Sequence, residues 1–102
     1  MILGLKFNYY IIMFYVYLLK SLKDGNYYIG QTDNVERRFN QHNSGKSRST
    51  KNRRPFMLLG YESYTTRNEA RYREYQLKTT IEKKKFIEKI LIDNKKKNEK
   101  ND

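Results

Sequence analysis

YYIIMFYVYLL, Tyr9 to Leu19, is the only strongly apolar run in a chain of 102 residues, so any core must form around it. It is too short to cross a bilayer, which takes about 20 apolar residues, and Lys6 and Lys20 bracket it. No small-residue cleavage site follows, as a secretory signal would need. Its β-branched and aromatic residues predict a strand. Met13 lies inside the run and offers an alternative start of translation, which would make residues 1–12 an extension.

The rest of the chain punctuates clearly. Phe14 to Lys20 and Tyr27 to Gln31 flank SLKDGN, whose Asp24-Gly25 is a hairpin turn signal. In the next segment Asp33 and Glu36 have capping-box spacing, Val35, Phe39 and His42 recur at helical spacing, and Gly45 ends the helix. A loop follows, then a third strand from Phe56 to Tyr64. Thr66 with Glu69 opens a helix through about Lys78, and Thr79 with Glu82 opens a last one carrying Phe86, Ile87, Ile90 and Leu91 on one side. Residues 93–102, rich in Lys, Asn and Glu, are expected to be a disordered tail. The order is β-β-α-β-α-α, an α+β fold.

Charge narrows the partner. Lys and Arg number 22 against 11 Asp and Glu, a net +11. That excess suits a polyanion, nucleic acid or an anionic surface. The loop from Lys46 to Arg54 holds Lys46, Arg48, Lys51, Arg53 and Arg54 with no acid, and Arg37 precedes it. It reads as mobile, exposed and suited to phosphates, with Phe56 and Tyr61 close by for packing or stacking. A merely solubilising loop is the alternative. No cysteine is present and there is one histidine, so disulfides, thiolate zinc sites and a cysteine nucleophile are excluded. Oxygen ligands remain, and with them Mg²⁺ or Mn²⁺.

Three groups of residues could carry chemistry. A hairpin with Asp24-Gly25 as a two-residue turn pairs positions summing to 49, and any odd sum puts Tyr17, Tyr28 and Gly30 on one face. The two phenols would share a surface beside a glycine that leaves room for a ligand, or be ordinary strand tyrosines. Arg38 and His42, four apart, share a helix face that also carries Val35 and Phe39. His42 is either a half-buried, satisfied histidine or a group at the edge of a site. Glu74 falls within the stripe of Ala70, Leu77 and Ile81, where an unpaired carboxylate is costly. A hard cation or a basic partner would relieve that cost. So would an i,i+4 bridge to Lys78.

YVY at 15–17, YIG at 28–30, GQTDNVERRFNQHN at 30–43 and NEARYREYQLK at 68–78, in this order and spacing, resemble the GIY-YIG nuclease superfamily. The chain is most similar to small stand-alone members related to the nuclease domain of the excinuclease C subunit. The resemblance covers residues 14–90. It implies a three-stranded antiparallel sheet flanked by helices, a nuclease domain over about 13–92, and phosphodiester hydrolysis with one divalent cation. By motif position it implies catalytic roles for Tyr17, Tyr28, Arg38, His42 and Glu74, with Glu74 holding the metal and Gly30 keeping the cleft wall low. Tyr15 stands where the name-giving glycine would be.

The resulting expectation is a Mg²⁺- or Mn²⁺-dependent endonuclease acting on DNA, on branched, flapped or single-stranded structures, since so small a domain has little surface for reading a long sequence. It needs neither a membrane nor a small-molecule cofactor, and a cytoplasmic setting is expected, nucleoid-associated if the chain is bacterial. Two alternatives stay open: a basic nucleic-acid-binding module without turnover, and a basic protein of a ribonucleoprotein.

Overall fold

A computed structural model describes residues 11–101, with side chains over 11–99. Lys6, Tyr9, Tyr10 and the last residue of the tail lie outside them. Three strands, β1 (Phe14–Ser21), β2 (Tyr27–Thr32) and β3 (Phe56–Tyr64), form one antiparallel sheet in the order β2-β1-β3. Helix α1 (Val35–Ser44) lies between β2 and β3 in the chain; α2 (Arg67–Gln76) and α3 (Thr80–Asn101) follow. The expected order β-β-α-β-α-α and α+β class are what the chain adopts. No helix of the described residues is long and apolar enough to cross a membrane.

The apolar run became the central strand because both its faces are covered. Val16 and Leu18 pack with Ala70, Leu77, Phe86 and Ile90 under α2 and α3. Tyr17 and Leu19 pack on the other side with Phe56, Tyr28 and Phe39. The strand starts only at Phe14; Ile11 to Met13 are not part of it.

Several expectations are corrected. The hairpin pairs Tyr17 with Gly30 and Lys20 with Tyr27, positions summing to 47, not 49. Its turn is the four-residue Leu22–Gly25, because Ser21 Oγ accepts from the amides of Lys23 and Asp24 (both 3.1 Å) and Gly25, at φ 74°, donates back to Ser21 O (2.9 Å). The odd sum is kept, so Tyr17, Tyr28 and Gly30 do share a face. Asn34, not Asp33, caps α1 by accepting from Arg37 N at 2.9 Å. Asp33 pairs instead with the Arg37 guanidinium. At α2 the Thr66–Glu69 capping box is formed as expected. Ile81 (68% exposed) leaves the core because the chain turns between Leu77 and Thr79, which breaks the stripe drawn through α2, and Leu91 lies off the buried side of α3 that carries Phe86 and Ile90.

The charged end is helical to Asn101 rather than disordered from residue 93. It contains no Gly or Pro, and Lys and Glu are good helix formers. It also has a tertiary tie: Asn94 Nδ2 donates to Leu59 O at 2.8 Å. Leu59 is the residue skipped where β3 pairs Gly60 with Leu18 and Leu58 with Leu19. A bulge leaves such a carbonyl without a ladder partner, and Asn94 supplies one.

Candidate active site

β1 directs Tyr17 to the face covered by α1, opposite Gly30. The space left by the glycine is filled: a Cβ there would collide with the Tyr17 hydroxyl and come within 2.6 Å of its Cζ. Gly30, expected to keep a cleft wall low, instead makes room for the phenol ring. The Tyr17 hydroxyl lies 2.8 Å from His42 Nε2, and His42 Nδ1 lies 2.7 Å from Thr50 Oγ1. Thr50 Oγ1 donates to Ser47 O at 3.4 Å. With its proton committed there, the threonine oxygen accepts from Nδ1–H, which leaves Nε2 to accept from the Tyr17 hydroxyl. His42 and Thr50 are fully buried, and Tyr17 is 2% exposed.

Sequence spacing singled out Tyr17 and His42 but not Thr50. It is one small polar residue in a loop of them, and nothing local marks it as buried. The loop expected to be mobile is in fact ordered here, with Ser47 and Thr50 inside and a 3₁₀ turn at Lys51–Arg53.

Electrostatics follow from this burial. Burial, and secondarily the Arg38 charge, drop the His42 pKa from 6.5 to about 4. The imidazole is therefore neutral at pH 7. Burial, with Tyr28 nearby, pushes Tyr17 up to about 12 against the opposing pull of the Arg38 guanidinium. Arg38 stands one helical turn before His42, half-buried, with Nη1 donating to Gln41 Oε1 (3.0 Å) and Nη2 to Ser47 Oγ (3.4 Å). The Tyr28 ring centroid is 6.3 Å from that of Tyr17 and 5.0 Å, edge-on, from that of His42. Tyr17, Tyr28, Arg38 and His42 thus form one cluster.

Glu74 approaches from α2, around the β2 edge of the sheet. It lines a cleft of about 420 Å³ together with Tyr27, Tyr28, Lys78 and Lys83. Its carboxylate makes no hydrogen bond or ion pair among the described residues, and the i,i+4 bridge to Lys78 is not formed. Glu62 behaves differently. Burial alone would raise its pKa, but Arg73 Nε at 2.9 Å and the Tyr64 hydroxyl at 2.5 Å outweigh that and hold it below the usual carboxylate range. Among the described residues no three His, Cys, Asp or Glu side chains come together. A single unpaired carboxylate on an open cleft fits a hard divalent cation that keeps most of its waters and takes further oxygens from a substrate.

The basic residues divide. Lys46, Arg48, Lys51 and Arg54 are exposed. Arg53 is bound to Asp24 (Nε to Oδ2, 2.7 Å) and lies over the Phe56 ring, and Arg37 is paired with Asp33. Phe56, considered for stacking, is core at 3% exposure, whereas Tyr61 is exposed and packs edge-on against Tyr15 at 5.4 Å.

Comparison with known proteins agrees with the motifs. The family model for the GIY-YIG catalytic domain matches residues 13–87. A UPF0213 protein of Staphylococcus haemolyticus is 44% identical over 71% of this chain and 88% of its own length. One from Bacillus pumilus is 42% identical over 78% and 83%. The solution NMR structure of a Bacillus halodurans UPF0213 protein, BH0048, is 35% identical, with a TM-score of 0.48 over 76% of this chain and 84% of that one. None of these names states an activity. With three quarters of its length matched by the domain and relatives above 40% identity over most of their own length, the chain belongs to the GIY-YIG family, a family of nuclease domains.

Proposed function

We propose that this protein is a divalent-metal-dependent endonuclease that hydrolyses phosphodiester bonds of DNA. The observation that carries this reading is the buried Tyr17–His42–Thr50 chain beside Arg38, set across the β2 edge from an unpaired Glu74. Glu74 would hold Mg²⁺ or Mn²⁺, whose chemistry when bound is to polarise the phosphate and stabilise charge on the leaving oxygen. Water attacks phosphorus and the O–P bond to the leaving group breaks. Tyr17 takes the proton of that water while its own hydroxyl proton passes to His42 Nε2. His42 is neutral and presents Nε2 to that proton, so the buried phenol acts only as a member of the hydrogen-bonded pair. Arg38 offers a fixed positive charge to the phosphate oxygens, which gain charge in the transition state. Tyr28 walls the space between the phenol and the carboxylate.

The polyanion is gripped by the exposed cations Lys46, Arg48, Lys51 and Arg54. Arg53 and Arg37 contribute less, because each already serves an acid. The test is incubation of purified protein with supercoiled plasmid and branched DNA, with Mg²⁺ or Mn²⁺ and with EDTA. Metal-dependent nicking that Glu74→Gln abolishes, with DNA binding retained, is the expected result. Salt-sensitive binding without nicking would select the non-catalytic module instead.

A further inference from the structure

The hairpin turn and the loop after α1 meet at a second cleft, of about 310 Å³, away from Glu74 and Tyr28. Lys23, Lys51 and Arg54 line it with Asn43, Asn52 and Pro55, and no acid does. Asp24, the acid nearest in sequence, is turned to Arg53. Among the described residues none of the three cleft cations forms an ion pair. Three like charges around one cavity repel each other, and the arrangement is unfavourable until an anion enters.

The cleft is also held in shape. Asn43 donates to Phe56 O (3.1 Å) and accepts from Phe56 N (2.7 Å). Ser21 Oγ donates to Arg53 O at 2.6 Å and Leu22 N to Pro55 O at 2.8 Å, tying the hairpin turn to the loop. Lys23 Nζ donates to Asn52 O (3.0 Å), and Arg54 Nε to Lys51 O (2.9 Å), which spends one guanidinium donor group and leaves the two terminal nitrogens. Those nitrogens rest against bare Gly45, where a Cβ would come within 2.6 Å of Nη1. A cation at the C-terminus of α1 is favourable on its own account. That explains Arg54 but neither Lys23 nor Lys51.

We propose that this cleft is a phosphate-binding subsite that anchors the backbone of the nucleic-acid strand away from the bond that is cut. The inference rests on the nuclease reading for its ligand. Tyr17 and Ser21 are four residues apart on β1, roughly 13 Å at about 3.3 Å per residue. The anchored phosphate therefore lies on the order of four stacked nucleotides from the reacting one, or fewer if the strand is extended.

The test measures binding of a fluorescent 12-nucleotide DNA by the full chain carrying Glu74→Gln, across a salt series, so that turnover is not required. In that background K23Q/K51Q/R54Q is compared with K95Q/K96Q/K97Q, an equal charge loss on the far end of α3. The cleft variant is expected to bind at least tenfold more weakly and to flatten the plot of log affinity against log salt by about one unit, the slope of one lost phosphate contact. The α3 variant should change affinity about twofold at most and leave the slope unchanged. Equal effects from both would overturn the subsite and leave only general charge attraction. If the cleft variant does not fold, amide NMR shifts of the Glu74→Gln protein replace it. Gly45, Lys51 and Asn52 should then shift with inorganic phosphate, and the oligonucleotide should displace that phosphate. Saturation by phosphate that the oligonucleotide cannot reverse would make this a small-anion site and refute the strand anchor; no shift with either would refute any site. Strong oligonucleotide binding by a protein that never nicks DNA would sink the nuclease reading alone.

Discussion

Thr50→Val removes one hydroxyl and preserves the shape of the side chain, which makes it the sharpest probe of the buried chain. In the native protein His42 Nδ1–H reaches Thr50 Oγ1 at 2.7 Å, with both residues fully buried. Valine leaves that N–H buried without an acceptor, at a cost of about 1–3 kcal/mol. For a domain of about 100 residues each kcal/mol moves the midpoint by roughly 4–8 °C, so a fall of about 5–20 °C is expected in calorimetry. Chemistry should suffer separately. Without an acceptor at Nδ1 the imidazole can carry its proton on Nε2 and donate to the Tyr17 oxygen, which removes the proton acceptor of the proposed reaction. Plasmid nicking measured well below the lowered midpoint should then fall by up to about 10²–10⁴, the usual contribution of a positioned base. Thr50→Ser keeps the hydroxyl and loses one methyl, about 0.8 kcal/mol; it should restore most of the activity. A valine variant that melts with wild type and nicks normally would refute the chain, as would a serine variant as impaired as valine.

Two further outcomes follow from the same geometry. Gly30→Ala places a Cβ against the Tyr17 ring, which is pinned by His42 on its other side, so a loss of about 1–3 kcal/mol is expected together with loss of nicking; an unchanged urea midpoint would contradict this. His42 has a pKa of about 4 in the folded protein against 6.5 ordinarily, so the folded state binds fewer protons. Its stabilising contribution is complete above pH 6.5 and is lost as pH falls from 6.5 to 4, up to about 3 kcal/mol. The difference in unfolding free energy between wild type and His42→Gln should shrink between pH 7.5 and 4.5, and a constant difference would rule the burial effect out.

Local signals proved readable where one residue's chemistry decides the outcome. The Thr66–Glu69 box, the left-handed Gly45 at the end of α1 and the shared face of Tyr17 and Tyr28 all follow from spacing or parity, which survive small errors in register. Non-local contacts were not readable. Asp24 meets Arg53 across 29 residues and Asn94 meets Leu59 across 35, and no periodicity couples such positions. Asp33 and Asn34 are both good caps, and only the place where the backbone becomes helical separates them. The charged end misled because Lys and Glu suit a solvated helix as well as a disordered tail; the choice turned on a bulge carbonyl far away.

The proposed base sits on the middle strand of the sheet, with Val16 and Leu18 locked into the opposite layer. Displacing the Tyr17 backbone therefore means breaking the sheet at its spine. Amide hydrogens of β1 should exchange with solvent only by global unfolding, so the backbone that carries the phenol stays fixed. Any adjustment that brings a phosphate to the phenol falls on the nucleic acid or on the elements that cover the ring, α1 with Phe39 and His42 and the loop with Thr50.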